Sequence, residues 1–224
     1  MAKNKNSKND ALALDVQLTK SEAFIEKHLK TILIVLGVII VIVAGIFIWN
    51  NHQKNQNAEA AEYIAKSQAA FSQDQYEQAL NGSDAKDKGL IKIINEYGST
   101  KTGNLAKAYA GLCYYNLDKI DDAIKMLESF TPQNDEIISP SAVAALGNCY
   151  ATKGDVEKGI DKLLEAAKMS ENDAVTPIFL LQAGELYESI NQKDKAVELY
   201  EQIKNKYFRS PIANDIDKYI ENAK

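Results

Sequence analysis

From Thr31 to Trp49 the chain reads TILIVLGVIIVIVAGIFIW, 19 residues with no charged side chain. At about 1.5 Å per helical residue the run extends roughly 28 Å, close to the hydrocarbon thickness of a bilayer. A soluble core helix needs a polar face, and this run has none. Trp49 closes it, where an amphipathic ring suits the membrane interface. A cleaved signal peptide has a short basic start, about 7–15 apolar residues and a small-residue cleavage site. Here 30 residues precede the run and no A-x-A pattern directly follows it. The expectation is a retained transmembrane helix over 31–49.

Flanking charge orients it. Lys3, Lys5, Lys8, Lys20, Lys27 and Lys30 precede the run, whereas Lys54 is the only Lys or Arg in NNHQKNQNAEA just after it. The positive-inside rule places 1–30 in the cytoplasm and 50–224 across the membrane. Residues 1–49 carry six Lys and four acids, and residues 50–224 carry 20 Lys plus Arg against 27 acids. A region with that acidic excess argues against nucleic-acid binding, which neutralises phosphates with a basic surface.

Residues 1–10 are polar and lysine-rich and read as disordered. Leu12, Val16, Phe24, Ile25 and Leu29 then trace a juxtamembrane helix suited to a lipid surface. Residues 50–57 read as a polar spacer, or as a continuation of the anchor helix. Beyond them every segment is amphipathic with helical periodicity, so almost no strand is expected.

A repeat fixes the fold. YAGLCYYNLDKIDDAIKML, ALGNCYATKGDVEKGIDKLL and QAGELYESINQKDKAVELY align on Gly111, Gly147 and Gly184, followed three residues later by Tyr114, Tyr150 and Tyr187. Ala123, Gly159 and Ala196 come next in register, then the large residues Leu127, Leu163 and Tyr200. Ser139-Pro140, Thr176-Pro177 and Ser210-Pro211 recur with a similar period and read as capped helix starts. An irregular unit precedes these three. Ser67 takes its small-residue place, Tyr76 and Ala79 fit its second helix, and an extra helix is expected from Ala85 to Tyr97.

This pattern resembles the tetratricopeptide repeat over residues 58–224. The implied fold is all-α: one N-terminal transmembrane helix followed by a tetratricopeptide-repeat α-solenoid. Its parts are an irregular unit at 58–98, repeats at about 104–138, 140–175 and 177–209, and a capping helix at 211–224. The small residue admits a close helix approach, the aromatic fills the wedge, and each unit covers its neighbour's open face.

Catalytic signals are weak. His28 and His52 flank the membrane run, and the repeats contain no histidine. Cys113 and Cys149 occupy equivalent repeat positions on neighbouring first helices. Helix axes about 8–10 Å apart hold such positions too far apart for easy bridging, so both read as reduced, buried small hydrophobes. Asp121-Asp122 and Asp135-Glu136 fall at turns and helix starts, where acids favour the helix N-terminus. No phosphate loop or metal-ligand cluster is present. The chain is therefore expected to be no enzyme, with no cofactor, metal, nucleic acid or small-molecule substrate.

In tetratricopeptide stacks the first helices line a concave groove. By the family's offsets that groove receives Gln68, Phe71, Leu112, Tyr115, Asn116, Asn148, Thr152, Leu181, Glu185 and Glu188. Phe71 and Tyr115 also suit packing within a repeat. Some members hold a peptide's carboxylates with a lysine–asparagine clamp. Here Asn148 matches one asparagine, the lysine position is Ala144, and Glu185 would repel a carboxylate.

The order of tail, anchor and repeats, and the stretch EYGSTKTGNLAKAYAGLCYYNLDKIDDAI, resemble the YfgM-like family of ancillary Sec translocon subunits. That resemblance implies an inner-membrane anchor and a periplasmic repeat domain. It implies as partners translocon subunits, a membrane-anchored chaperone and translocating polypeptides. A scaffold for cell division or envelope assembly, and an enzyme regulator, are the alternative readings. The outer-membrane assembly members of the fold are lipoproteins, and no Cys directly follows the apolar run here.

Overall fold

A computed structural model describes residues 6–83 and 87–224, with side chains from residue 27 onward. Among the described residues there are α-helices and a short 3-10 turn, and no strand. The chain divides into two compact units, the second spanning Lys54–Lys224.

Helix α1 is Asn6–Ser72. Its described part includes the apolar run, which has a mean hydropathy of 3.3 over 18 residues and none of them buried. Ile34, Val41, Phe47 and Trp49 are all exposed. The apolar side chains therefore face outward on every side, as a lipid-facing rod requires and a soluble core helix does not. The helix is long and apolar enough to cross a membrane.

Two expectations change along α1. It already runs from Asn6, within the stretch read as disordered; residues 1–5 lie outside the described residues. Residues 50–57, read as a spacer or as a continuation of the anchor helix, follow the second reading and are helical. They contain neither Gly nor Pro to break the helix. Asn57 has a structural task within the second unit: its side chain accepts a hydrogen bond from the Thr102 backbone N–H at 2.8 Å. It thereby satisfies an orphan donor at the start of α4.

Beyond Trp49, Ala60, Ile64, Ser67 and Ala70 turn one stripe of α1 inward. Helix α2 (Tyr76–Asn81) folds back, and α3 (Gly89–Tyr97) packs beside it. The extra helix thus begins at Gly89; Ala85, its expected start, lies outside the described residues. Lys88 ties α3 to α1: its Nζ lies 4.1 Å from the Tyr63 ring centroid and 2.7 Å from the Tyr97 hydroxyl.

Three helix pairs follow: α4 (Lys101–Asn116) with α5 (Ile120–Ser129), α6 (Ile138–Thr152) with α7 (Val156–Met169), and α8 (Thr176–Ser189) with α9 (Lys193–Lys206). The expected capping helix is split into a 3-10 turn at Pro211–Asn214 and α10 (Ile216–Ala223). Within each pair the sequence register becomes contact. A Cβ placed on Gly111 would come 2.5 Å from the Leu127 side chain. On Gly147 it would meet the Gly159 carbonyl at 2.8 Å, and on Gly184 the Tyr200 ring at 2.3 Å. Tyr114 packs against the clusters of both its own and the preceding unit, which is the wedge role the spacing implies.

Each pair turns the same way. Asp74, Asp118 and Asn191 have φ of 58°, 57° and 60°, and Gly154 has 92°. Each stands at the same distance after its small residue, Ser67, Gly111, Gly184 and Gly147 respectively. In each turn the next N–H reaches back five residues, as in Gln75 to Ala70, Lys119 to Tyr114, Asp155 to Tyr150 and Gln192 to Tyr187. This is the Schellman ending, which needs a left-handed residue; Gly, Asn and Asp supply it at least cost.

The Ser/Thr-Pro pairs mark helix starts, but none of their three hydroxyls caps one: Ser210 is the N-cap residue of the 3-10 turn without a side-chain cap hydrogen bond. Ser139 and Thr176 already lie inside α6 and α8. Asp135, two residues before the N-cap Ile137, serves the start of α6: it accepts from the N–H groups of Ile137, Ile138 and Ser139 at 3.1, 2.7 and 3.0 Å and from the Ser139 hydroxyl at 2.5 Å. The first four N–H groups of a helix have no internal partner, so Pro140 costs no hydrogen bond there. Ser139 and Thr176 are buried and stitch the helix starts to the loops before them, to Gln133 and Ser170.

Partial burial works to raise the Asp135 carboxyl, but the Ser139 hydroxyl and three backbone N–H groups outweigh it and hold the pKa below the ordinary value. A folded-state pKa that is depressed stabilises fully above the unfolded value, and the contribution is lost as pH falls through the folded value. Asp135→Ala is therefore expected to cost about 1–2 kcal/mol at neutral pH. The gap from wild type should narrow below about pH 4. Thermal unfolding of both proteins across that pH range, followed by circular dichroism, checks it.

Candidate protein-binding face

The first helices α4, α6 and α8 are joined by a polar ladder on one shared face. The Asn148 amide on α6 donates to Gln182 on α8 at 3.2 Å. On its other side lies Tyr115 on α4, close enough for the Asn148 amide to bear on its phenol. Burial pushes the Tyr115 phenol up, and Asn148 works against that rise. Tyr115, Asn148 and Gln182 thus bring three successive repeats together through neutral groups.

The residues expected in the groove fall into two sets. Tyr115, Asn148, Leu112 and Glu185 lie on or beside the ladder. Leu112 is half-buried against the second hydrophobic cluster, and Glu185, one turn beyond Gln182, is exposed. Asn116 and Thr152 are exposed at the helix ends, each hydrogen-bonded to its own backbone at Leu112 and Asn148. Gln68 is half-buried on α1.

The other three turn inward. Phe71 stands edge-on to Tyr109 at 5.2 Å and to Tyr76 at 5.7 Å, so its ring is part of the first unit's packing. Leu181 packs against the cluster around Tyr200. Glu188 accepts a hydrogen bond from the Tyr200 hydroxyl at 2.5 Å and so faces the second helix of its own repeat. Burial first, and then Glu188, push the Tyr200 phenol above its ordinary value, which keeps it protonated as the donor.

Two features were not legible at the usual ligand offsets. Gln182 lies one turn earlier than the ligand position on α8, and only its proximity to Asn148 reveals it. A cleft of about 550 Å³ also opens where the loop before α6 meets the start of α4, lined among others by Leu105, Ile137, Ile138 and Asn172. Ile137, Ile178 and Phe208 are the large apolar side chains exposed beyond the membrane run, and each lies next to a Ser/Thr-Pro pair.

Alternative chemistry finds little footing. Among the described residues no group of three or more His, Cys, Asp or Glu is placed to hold a metal. Cys113 and Cys149 are free and buried. Burial pushes their thiols up to about 12 and about 11. A thiol must ionise to attack, so neither is a nucleophile near neutral pH.

A family model described as a tetratricopeptide repeat-like domain matches residues 22–209. No curated protein matches the chain. Among solved structures, the crystal structure of MamA protein superposes with a TM-score of 0.53 at 17% identity, covering 73% of this chain and 89% of that one. Kinesin light chain tetratricopeptide-like repeats from Podosopora anserina give a TM-score of 0.52 at 14% identity, covering 77% and 84%. At these identities the likeness concerns the fold alone.

The thiol environment yields a direct check. Both cysteines are expected to resist maleimide at pH 7.5 in the folded protein and to react fully in denaturant. Mass spectrometry of labelled protein reads the outcome, and rapid native labelling of either residue contradicts the burial.

Proposed function

Since the chain belongs to the tetratricopeptide repeat-like family, we propose that it is a membrane-anchored, non-catalytic scaffold that binds other proteins through the first-helix face. The observation that carries this reading is the Asn148–Gln182 hydrogen bond between α6 and α8 with Tyr115 of α4 beside it, which lines three helices with amide, hydroxyl and apolar groups and no reactive pair. Such a surface suits a polypeptide, whose backbone amides and apolar side chains find partners along it.

The anchor is Thr31–Trp49, and the lysine excess before it supports an N-terminus in the cytoplasm and a repeat domain on the far side of an inner membrane. A repeat domain held at that surface meets polypeptides as they emerge from the membrane. The resemblance to ancillary translocon subunits supports the same setting, with translocon subunits and a membrane-anchored chaperone as partners.

Two measurements test the reading. Protease added to spheroplasts is expected to digest the repeat domain and to leave the N-terminal tail intact; the reverse pattern removes the proposed orientation. A photoreactive residue at Leu112 or Asn148 is expected to crosslink translocon subunits or newly exported chains in living cells. Adducts confined to division or envelope-assembly machinery would instead support a scaffold in those complexes.

A further inference from the structure

Charge on the first-helix face is distributed unevenly. Helix α6 has no charged residue, and α8 carries Glu185 and Glu188 with no Lys or Arg. The two lysines of α4 are directed elsewhere. Lys107 Nζ reaches the Ser129 carbonyl at 3.4 Å, and Lys101 lines the cleft at the helix start. Glu188 is occupied by Tyr200.

Glu185 is thereby left as the free charge beside the ladder. Among the described residues no hydrogen bond or ion pair engages it, and its side chain is exposed. Partial desolvation and then Glu188 hold its carboxyl above the ordinary value. A carboxylate crowded by a second carboxylate gains from a cation twice, by direct attraction and by relief of the repulsion. A ligand carboxylate at the same place loses on both counts.

Resting on the groove reading above, we infer that this face takes an extended, mostly apolar polypeptide segment bearing a Lys or Arg at the end that lies over α8, with Glu185 as its specificity-determining contact. The neutral stretch over α4 and α6 accepts apolar side chains and backbone without regard to charge. The sign of the partner is read at α8. Complementary charge of this kind sets which segment binds more than how tightly any segment binds.

The full chain in nanodiscs, with three fluorescein-labelled peptides, tests the inference. The peptides share one Leu-, Tyr- and Ala-rich sequence and differ in a single terminal residue, Lys, Gln or Glu. Fluorescence anisotropy at low ionic strength is expected to rank Lys over Gln by about three- to fivefold, with Glu weakest. Glu185→Gln should collapse the ranking of the three peptides, and Glu185→Lys should invert it. Equal affinity for all three peptides, or a ranking that survives Glu185→Gln, overturns the inference while the groove reading stands. Absence of binding by any of the peptides overturns both. Binding that is indifferent to Tyr115→Ala and Asn148→Ala also overturns both, because the peptides then sit elsewhere.

Discussion

Each repeat depends on how closely its two helices approach, and that distance is set where a side chain is missing. Gly111, Gly147 and Gly184 face Leu127, Gly159 with Leu163, and Tyr200. The gap at each crossing is narrower than a Cβ, so the second helix presses against bare backbone of the first. The three crossings use different partners for one geometry. At Gly147 the close contact is backbone, with Gly159 on the opposite helix also lacking a side chain. At Gly184 a whole tyrosine ring lies in the space, and its hydroxyl still finds Glu188. A large residue opposite a small one keeps the volume filled in both arrangements.

The same register extends into the turns, where it sets a backbone conformation as well as a helix spacing. Asp74, Asp118, Gly154 and Asn191 share one left-handed position. Read together they are the residue types that tolerate positive φ, and they tie the irregular first unit to the regular three. The small residues and tyrosines were legible because a repeat displays each constraint several times. The caps were not. Asp135 lies four residues before Ser139, and a Ser-Pro pair invites the nearer assignment. Asn57 was hidden for a different reason: it caps a helix 45 residues away in sequence. No local pattern marks a donor that far off.

Legibility of the binding face follows the same division. Family offsets place residues by helix phase, and phase alone separates the ladder from the core poorly where side chains are long. Phe71 has the phase of a ligand position, yet Tyr109 and Tyr76 claim its ring. Glu188 has it too, yet Tyr200 claims its carboxylate. In each case the competitor comes from another helix, and its reach decides the outcome. Asn148 remains on the face because its partner, Gln182, comes from the neighbouring first helix rather than from the core.

That exchange also explains how a region with 27 acids and 20 bases keeps a neutral centre. Helix α6 is covered on nearly every side, with Ala142, Val143, Ala144, Ala145 and Leu146 all buried. A charge there would lose its water with little chance of a partner, so the helix has none. The ionic pairs, such as Lys162 with Glu165 and Lys206 with Glu171, lie off the first helices α4, α6 and α8, where solvent bears the cost of each charge. Removing charge from the middle of the stack makes the first-helix face a surface of shape and hydrogen bonding. It also leaves the field from Glu185 without an internal cation to cancel it. One unpaired carboxylate beside such a neutral strip sets the sign of the local field more than the paired charges on the outer helices do.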